Sequence, residues 1–468
     1  MEKKLYTVTD LGGGDGGKGG VVHKISSLRN AHTIMKVGGT QGSHGVRTSA
    51  GQSFNFSHFG CGTFEGSRTH ITNLFVLDPY RLINEGEQLM NEWRISNAFD
   101  LMTVDENALV VTPYHTFASR LRELARKDKP RGTVGTGAGV AFEDSLLHPD
   151  TALRVGMIGD RALGALLEYV RKKKFEEVAA PLIGQVKNLL PEDQEYAREL
   201  ITMMSDPDMT SQVIKVFRSF ANRIKIVGKD YLKKRILGRD GTIVVESSHG
   251  ILTDRYHGFH PHTTSLRTTL QPTLDLLAEC EYDGEVKKLG VTRAYQIRHG
   301  AGPMVTESSE LLGELLPGSH KDENRWQGKV RVGALDLVAL RYSIGVCGGP
   351  TTFDGLAITW FDQVRQAGNW YVCDKYRPPE NDEGTFPFLR LNGEIAIHRG
   401  EDEYQLQYQE KLGRLLNTCK PSVSVYGVGP SKSIEDVSEL CSSVLLDKLG
   451  VPVRMISFGP TENDKVLL

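Results

Sequence analysis

The chain has 468 residues, with 56 lysines and arginines against 58 aspartates and glutamates and a formal net charge of -2. This balance argues against a dedicated nucleic-acid-binding protein, and the sequence has no apolar run of the roughly 18 residues that a membrane-spanning helix needs. The six cysteines are scattered without a C-x-x-C pair. Such scattering is typical of reduced thiols in a cytoplasmic protein and not of a disulfide or zinc framework.

A glycine cluster near residue 12 carries the most information about function. Residues 5–10 have the pattern of a strand, residues 12–20 contain seven glycines, and residues 21–24 open a helix. Glycines let backbone N–H groups converge on a phosphate, and Gly12 to Lys18 fit the spacing G-x-x-x-x-G-K. Gly19 stands where a serine or threonine often helps to hold Mg²⁺, so Asp15 becomes the expected metal ligand. The alternative is a glycine-rich loop that binds no ligand.

Strand and helix patterns alternate along the rest of the chain. Runs rich in β-branched residues predict strands over 33–37, 108–112, 242–245 and 453–457. Helical periodicity predicts helices over 160–174, 192–205, 211–236, 405–418 and 433–448, and a mostly helical subregion over about 158–238. This alternation predicts an α/β fold with a mainly parallel central sheet and helices on both faces.

Four more glycine-rich segments follow the first one. They span residues 38–45, 132–139, 246–250 and 298–303. A single such segment is usually only a loop. Several of them at the ends of strands predict one crevice at the carboxyl edge of a sheet, with room for two or more phosphorylated ligands.

The same segments carry a specific resemblance. GDEGKGK, GGxNAGHT, GTxGRGIGPAYED, LRVG, EGAQG, YPYVTS, TRVGAGPxPTE and ISxGP are signatures of one family, the adenylosuccinate synthetases. In this chain they resemble, in the same order, residues 14–20, 38–45, 132–144, 153–156, 246–250, 260–265, 297–307 and 456–460. No single motif is specific, but the ordered set runs from residue 5 to the C-terminus and resembles this family.

The resemblance implies a fold and an activity. The fold is one large α/β domain over 1–468, with a P-loop-like phosphate loop. The activity is a C–N ligation that uses GTP, or ATP, and Mg²⁺ to join aspartate to C6 of an IMP-like 6-oxopurine nucleotide through a 6-phosphoryl intermediate. Family members are homodimers, so the expected partners are small molecules and a second copy of the chain, with no nucleic acid and no membrane.

The resemblance also assigns residues. Asp15 is the expected general base, His44 the general acid and Lys18 the cation that stabilises the transferred phosphoryl group. The expected Mg²⁺ ligands are Asp15 and the carbonyl of Ser43. The expected NTP-binding residues are Gly14, Gly16, Gly17, Lys18, Gly19, Gly42, Ser43, His44, Asp362, Ser457, Gly459 and Pro460. Those for the purine nucleotide are Asp15, Gln41, Thr133, Val134, His249, Thr264 and His299, and those for the amino acid are Arg331, Arg325 and Lys329.

Several residues depart from the family pattern. Val134 replaces a phosphate-binding threonine, and His249 and His299 replace a glutamine and a valine on the substrate side. The arginine that the family lends from a partner subunit has no clear match. Trp360 replaces a lysine beside Asp362, the residue expected to read guanine.

Two alternatives therefore stay open. One is the same chemistry with changed specificity, such as dGMP as acceptor, ATP as donor or another amine. Phage enzymes that act on dGMP replace the catalytic aspartate with a small residue, and the retained Asp15 favours a base without a 2-amino group. The other alternative is a non-catalytic nucleotide-binding sensor.

Overall fold

The computed structural model describes residues 2–127, 129–316, 318, 325–379, 387–390 and 392–468. The strands within these ranges are β1 Lys3–Asp10, β2 Thr33–Gly39, β3 His44–Arg47, β4 Ser53–Phe56, β5 Arg68–Leu77, β6 Met102–Asp105, β7 Leu109–Val110, β8 Lys225–Val227, β9 Gly241–Gly250, β10 Glu285–Arg293, β11 Gln296–His299, β12 Val330–Gly333, β13 Leu335–Asp336, β14 Gly355–Thr359, β15 Asn369–Arg377, β16 Lys420–Gly427, β17 Val453–Ser457 and β18 Lys465–Leu467. The α-helices are α1 Lys18–Arg29, α2 Pro79–Asn91, α3 Pro113–Leu124, α4 Ala138–Leu147, α5 Leu163–Lys174, α6 Ala180–Ile183, α7 Gln194–Ser205, α8 Asp208–Arg223, α9 Lys229–Tyr231, α10 Gln271–Glu279, α11 Ser309–Leu315, α12 Leu337–Val346, α13 Phe361–Ala367, α14 Glu403–Leu416 and α15 Ile434–Leu449.

A single large sheet forms the centre of the described structure. Its strand order is β18-β17-β14-β10-β1-β9-β2-β5-β6-β8, and β7 also pairs with β5. Every pairing in this sheet is parallel except that of β17 with the edge strand β18. The predicted mainly parallel sheet is confirmed, and β1, which carries the glycine loop, lies in its middle.

Both faces of the sheet are covered by helical segments. Successive residues of β9 point to opposite faces, so Val244 packs in one apolar cluster while Ile243 and Val245 pack in another. The first cluster contains α1, through Val21, Val22 and Ile25, and the second contains α10 and the helical turn at residues 232–237. A parallel strand that is buried on both faces has apolar residues at consecutive positions. This is why the sequence pattern predicted these strands.

The helical subregion contains α5 to α8, which pack on one another and on α3. The prediction of one continuous helix over 211–236 is wrong, because helical structure resumes only at Lys229 after α8 ends at Arg223. The chain then forms β8, which joins the central sheet beside β6. Ile226 and Val227 favour this extended conformation, and the edge of β6 supplies the backbone partners.

A third apolar cluster fills the C-terminal half of the molecule. It packs α12, α14 and α15 against the small sheet β13-β15-β16 and the neighbouring strands β14 and β17. In the described part of the chain, no helix combines the length and the apolar character needed to cross a membrane.

Candidate active site

A cavity of about 860 Å³ opens where β1, β2 and β9 reach their carboxyl ends. All five glycine-rich segments of the sequence contribute to its wall. The predicted site residues that line it are Gly14, Asp15, Lys18, Gln41, Gly42, Ser43, His44, Thr133, Val134, His249, Thr264 and His299. The structure thus brings together residues from segments that lie far apart in the chain, at the edge where parallel sheets bind ligands.

The glycine loop is held in shape by a buried carboxylate at the end of β1. Asp10 accepts hydrogen bonds from the backbone N–H groups of Gly12 and Gly16, each at 2.8 Å. The ammonium of Lys18 donates to the same carboxylate at 2.9 Å and to the carbonyl of His249 at 2.7 Å. An ammonium has three donors, so Lys18 keeps one for a ligand in the cavity that it lines.

Asp15 lies in the left-handed region of the backbone, with φ of 55°, and its carbonyl accepts from Arg293 at 2.6 Å. Its carboxylate is 2.8 Å from Nε2 of His299. Burial raises the pKa of Asp15, but the hydrogen bond and charge of His299, with Arg293 and Lys18, outweigh it and hold that pKa below its usual range. Asp15 is therefore an ionised carboxylate at neutral pH.

His44 is oriented by a buried carboxylate. Its Nδ1 is 2.6 Å from Glu246, which also accepts from Lys36 at 2.6 Å and from the backbone N–H of Cys61 at 2.9 Å. Burial lowers the pKa of His44, and Glu246 acts in the opposite direction. Because Nδ1 is engaged, Nε2 is the ring nitrogen that can reach a ligand in the cavity.

His44, Cys61 and Glu246 are also grouped closely enough to hold a metal ion. Two observations argue against that role. The ammonium of Lys36 already lies on the Glu246 oxygen that His44 contacts. Burial also raises the pKa of Cys61 well above its ordinary value, so its sulfur is a thiol and not the thiolate that binds metals. The group therefore orients His44.

The residues expected to bind the purine nucleotide all line the cavity. Gln41 donates to the hydroxyl of Thr264 at 3.3 Å, and Thr133 accepts from the backbone N–H of Gly135 at 3.2 Å. His249 has φ of 61°, and burial lowers its pKa to about 3, so its ring is neutral. Among the described residues, no group hydrogen-bonds its buried Nδ1, which can therefore bind a ligand.

The remaining residues expected to bind NTP lie beside the cavity and do not line it. Gly16, Gly17 and Gly19 form the loop and the start of α1, and Thr359 at the end of β14 donates to the carbonyl of Gly16 at 2.7 Å. Asp362 lies in the first turn of α13, which follows β14 closely, while Ser457 ends β17 and donates to the carbonyl of Gly459 at 2.8 Å. Pro460 follows in the same loop. The ends of β14 and β17 thus flank the phosphate loop.

Trp360 lies between the end of β14 and the start of α13. Its ring packs against the guanidinium of Arg293, which is 4.3 Å from the ring centroid. Arg293 in turn holds the carbonyl of Asp15, so Trp360 contacts the phosphate loop through one intervening side chain.

The residues expected to bind the amino acid also lie outside the cavity wall. Arg331 donates to the carbonyls of Gly300 and Gly302, at 3.0 and 2.7 Å, and to Glu307 at 2.8 Å. Arg325 pairs with Asp193 at 3.1 Å, and Lys329 is exposed. Arg331 therefore fixes the loop at residues 300–302, which follows His299.

Comparison with known proteins identifies the chain. Residues 8–466 match the family model of adenylosuccinate synthetase. The chain belongs to the adenylosuccinate synthetase family. It is 28% identical to the adenylosuccinate synthetase of Chlorobium chlorochromatii over 442 residues, which cover 90% of this chain and 94% of that protein. It is also 28% identical to the enzyme of Edwardsiella ictaluri over 464 residues, which cover 97% and 96%.

Solved structures show the same fold. The fully ligated adenylosuccinate synthetase of Plasmodium falciparum superimposes with a TM-score of 0.74 at 15% identity, over 99% of each chain. Succinoaminodeoxyadenylate synthetase, PurZ, of cyanophage S-2L, bound to dGMP and to dATP as an energy donor, gives a TM-score of 0.58 at 16% identity, over 100% of this chain and 96% of that one. The predicted family and α/β fold are confirmed, and the chain is a ligase of the adenylosuccinate synthetase type.

Sequence reasoning missed several residues of this adenylosuccinate synthetase fold. Asp10, Lys36 and Glu246 shape the loop and orient His44. The arginines that line the cavity are Arg122, Arg126, Arg131, Arg255 and Arg298. Glu246 and Arg298 fall inside recognised motifs and could have been found there. The other residues carry no local signal, because only the tertiary structure brings them to the cavity.

Proposed function

We propose that this chain joins the amino group of aspartate to C6 of an IMP-like 6-oxopurine nucleotide and converts an NTP to NDP and phosphate. The observation that carries the proposal is the meeting of Asp15, Lys18 and His44 in one cavity beside the phosphate loop. A carboxylate, a fixed cation and an oriented imidazole are what a proton abstraction coupled to phosphoryl transfer requires.

The reaction begins at the base. Asp15 accepts the proton from N1, and the electron pair that remains on N1, C6 and O6 lets O6 attack the γ-phosphorus. The bond between that phosphorus and the β,γ-bridging oxygen breaks, and NDP leaves. The amine of aspartate then attacks C6, inorganic phosphate leaves with the O6 atom, and the amine loses its proton. A carboxylate that stays ionised in the cavity suits the first step.

His44 and Lys18 act on the phosphate side. Lys18 neutralises charge on the transferred group, and His44 donates a hydrogen bond from Nε2 to the leaving diphosphate. Glu246 favours the protonated imidazole through its contact with Nδ1. The negative charge of a bound triphosphate favours the same form, so His44 gains its acidic proton when NTP binds.

Magnesium fits the oxygen ligands available here. Asp15 and Ser43 both line the cavity, and a carboxylate and a backbone carbonyl are hard ligands of the kind that Mg²⁺ prefers. When bound, the ion would neutralise charge on the β- and γ-phosphates.

The residues that line the cavity support this choice of substrates. Gln41, Thr133, Val134, Thr264 and His249 hold the purine nucleotide, and the five cavity arginines favour an anionic substrate. We extend the amino-acid site from Arg331, Arg325 and Lys329 to Arg298, a buried guanidinium that lines the cavity next to the loop fixed by Arg331. Paired guanidinium contacts are selective for carboxylates.

The NTP is GTP in this proposal, read by Asp362 and by the loop Ser457, Gly459 and Pro460. A location in the cytoplasm and a homodimeric assembly are part of the same proposal.

Changed specificity is the second candidate. The neutral His249, with its available Nδ1, faces the side of the cavity where the purine is expected, and a histidine there presents a different hydrogen-bond pattern from an amide. A guanine nucleotide as acceptor or ATP as donor is compatible with such a change.

The deciding experiment measures phosphate release from the purified full chain with Mg²⁺. Each of GTP and ATP is tested with each of IMP, dIMP, GMP and dGMP, with and without aspartate, and the products are identified by mass spectrometry. Turnover that needs IMP and aspartate and yields the succinyl adduct supports the proposal. Turnover with a guanine nucleotide supports the second candidate, and NTP binding without any turnover supports a sensor.

Asp15→Asn provides the internal check. It should abolish acceptor-dependent turnover, because an amide cannot take the N1 proton, while Asp150→Asn, the same change at an exposed residue, should leave turnover intact. An active Asp15→Asn enzyme would remove Asp15 from the mechanism.

A further inference from the structure

The first turn of α1 lacks a side chain that the family signature has. Aligned on residues 14–20, the last lysine of GDEGKGK falls at Gly20. A side chain added at Gly20 would meet a lysine from the other end of the chain. Its Cβ would lie 3.1 Å from Cε and 3.3 Å from Nζ of Lys465. The space beside Gly20 is thus occupied by the end of a lysine side chain from β18.

The backbone places Lys465 next to the loop expected to bind NTP. Strand β18 runs antiparallel to β17, and Lys465 pairs with Ser457. The ammonium of Lys465 donates to the carbonyl of Thr461 at 2.6 Å and to that of Pro460 at 3.4 Å. Lys465 therefore lies between the loop that follows β17 and the first turn of α1.

Lys465 forms no close ion pair with a described carboxylate. The residue is 6% exposed, and within the described ranges no carboxylate oxygen lies within 4.0 Å of its ammonium. Burial lowers the pKa of Lys465 to about 8, although Asp464, Glu462 and Asp362 raise it and Lys24 lowers it further. A buried cation with only carbonyl acceptors is costly unless an anion joins it. Two of its three donors are used, so one can bind an incoming oxygen.

We infer that Lys465 binds the phosphate chain of the NTP and supplies, from the C-terminal strand, the positive charge that the family signature carries at the position of Gly20. The inference rests on the proposed function only in placing the NTP between α1 and the loop at residues 457–461. It makes Lys465 a nucleotide-binding residue that lies at the opposite end of the sequence from the phosphate loop.

The test compares Lys465→Met with a double variant that also carries Gly20→Lys. Calorimetry measures the affinity of the full chain for Mg²⁺ complexes of non-hydrolysable GTP and ATP analogues. Lys465→Met should weaken the better-bound analogue at least tenfold, and the double variant should restore binding to within threefold of wild type. Lys448→Met, which removes an exposed lysine of α15, is the control and should change affinity less than twofold.

Inorganic tripolyphosphate separates phosphate binding from base recognition. If Lys465 contacts the phosphates, its substitution weakens tripolyphosphate binding by a similar factor, whereas unchanged binding overturns the inference. Unchanged analogue affinity in Lys465→Met also overturns it, as does a double variant no better than the single one. Melting temperatures without nucleotide exclude loss of folding as the cause.

These outcomes are separable from those of the proposed function. A wild-type chain that binds NTP through Lys465 but forms no succinyl adduct supports this inference and contradicts the proposed ligation. If the wild-type chain forms the succinyl adduct and Lys465→Met binds NTP as tightly as wild type, the proposed ligation is supported and this inference is contradicted.

Discussion

Glu246 is a buried residue of the active site on which several polar contacts converge. It lies at the centre of a group that includes Lys36, His44 and the backbone of Cys61. Burial raises its pKa, but Lys36 and His44 outweigh burial and hold the pKa below its usual range. In the protein interior, where the dielectric constant is low, a fully paired carboxylate holds the side chains that it contacts in one orientation. A buried carboxylate that lacks a partner destabilises the fold.

Glu246→Gln should therefore destabilise the protein. The substitution leaves the ammonium of Lys36 buried without its carboxylate, and breaking such a pair costs roughly 3–5 kcal/mol of unfolding free energy. Chemical denaturation measures the loss. Glu401→Gln, which removes the exposed partner of Arg267, should cost less than about 1 kcal/mol.

A double variant tests the cause. Lys36→Met combined with Glu246→Gln removes the unpaired charge and should recover at least half of the loss. A double variant as unstable as Glu246→Gln alone would show that the buried charge is not responsible.

At the scale of an element, α1 positions the catalytic imidazole by close packing. A Cβ on Gly19 would lie 2.6 Å from the carbonyl oxygen of Gly45 and 3.1 Å from Cβ of His44. Only glycine lets the first turn of α1 approach β3 this closely. The glycine that replaces the expected serine or threonine thus has a packing role.

Gly19→Ala should push β3 away from α1 and misplace His44. Displacement of a catalytic group by about 1 Å costs up to roughly 100-fold in rate, so kcat should fall by about 10–100-fold with a smaller change in stability. Gly164→Ala is the control, because its nearest neighbour is a side-chain carbon of Ile214 at 3.4 Å. Wild-type kcat in Gly19→Ala would contradict this account.

The start of α12 contains a buried acid with a pH-dependent role in stability. Asp336 caps the helix by accepting from the backbone N–H of Ala339 at 3.0 Å, and it accepts from the hydroxyl of Tyr376 at 2.5 Å. Burial raises the pKa of Asp336 from 3.8 to about 6, although both hydrogen bonds oppose the shift. The folded protein thus binds this proton more tightly than the unfolded chain does.

The raised pKa of Asp336 stabilises the folded protein, and this contribution to the unfolding free energy is fully present below pH 3.8. It is lost as the pH rises through about 6. The loss amounts to about 3 kcal/mol. Asp336→Asn keeps the cap but cannot ionise, so between pH 4 and 7 it should gain about that much unfolding free energy relative to wild type. Denaturation at both pH values measures the difference, with Asp402→Asn at the exposed cap of α14 as the control. Parallel pH profiles for Asp336→Asn and wild type would refute the assignment.

At the scale of the whole molecule, one chain supplies both the reactive groups and the arginines of the cavity. The buried Nε of Arg255 has no hydrogen-bond partner among the described residues, and the side chain lines the cavity. We expect Arg255 to serve the site of its own chain.

Co-expression of one impaired and one inactive variant tests this expectation, with turnover measured at an acceptor concentration well below the KM of Arg255→Met. Arg255→Met should raise the KM of the acceptor nucleotide at least tenfold, and chains that carry Asp15→Asn should be inactive. Mixed assemblies of the two, isolated through different tags, should show no more activity than the separate variants, because every site lacks one residue. Recovered activity would mean that Arg255 acts across subunits. Arg255→Lys, which keeps the charge, should be less impaired than Arg255→Met.

The amino-acid sequence by itself determined the family, the parallel sheet and the glycine loops with Asp15, Lys18 and His44. These features are visible because they depend on local order: apolar strands alternate with helices, and a phosphate loop needs its glycines and lysine at fixed spacing. Tertiary structure alone decided the pairing of Lys36 with Glu246, the wall of arginines, the entry of β8 into the sheet and the placing of Lys465 beside Gly20. Each of these depends on the order of strands in the sheet, which brings together residues that no short motif connects.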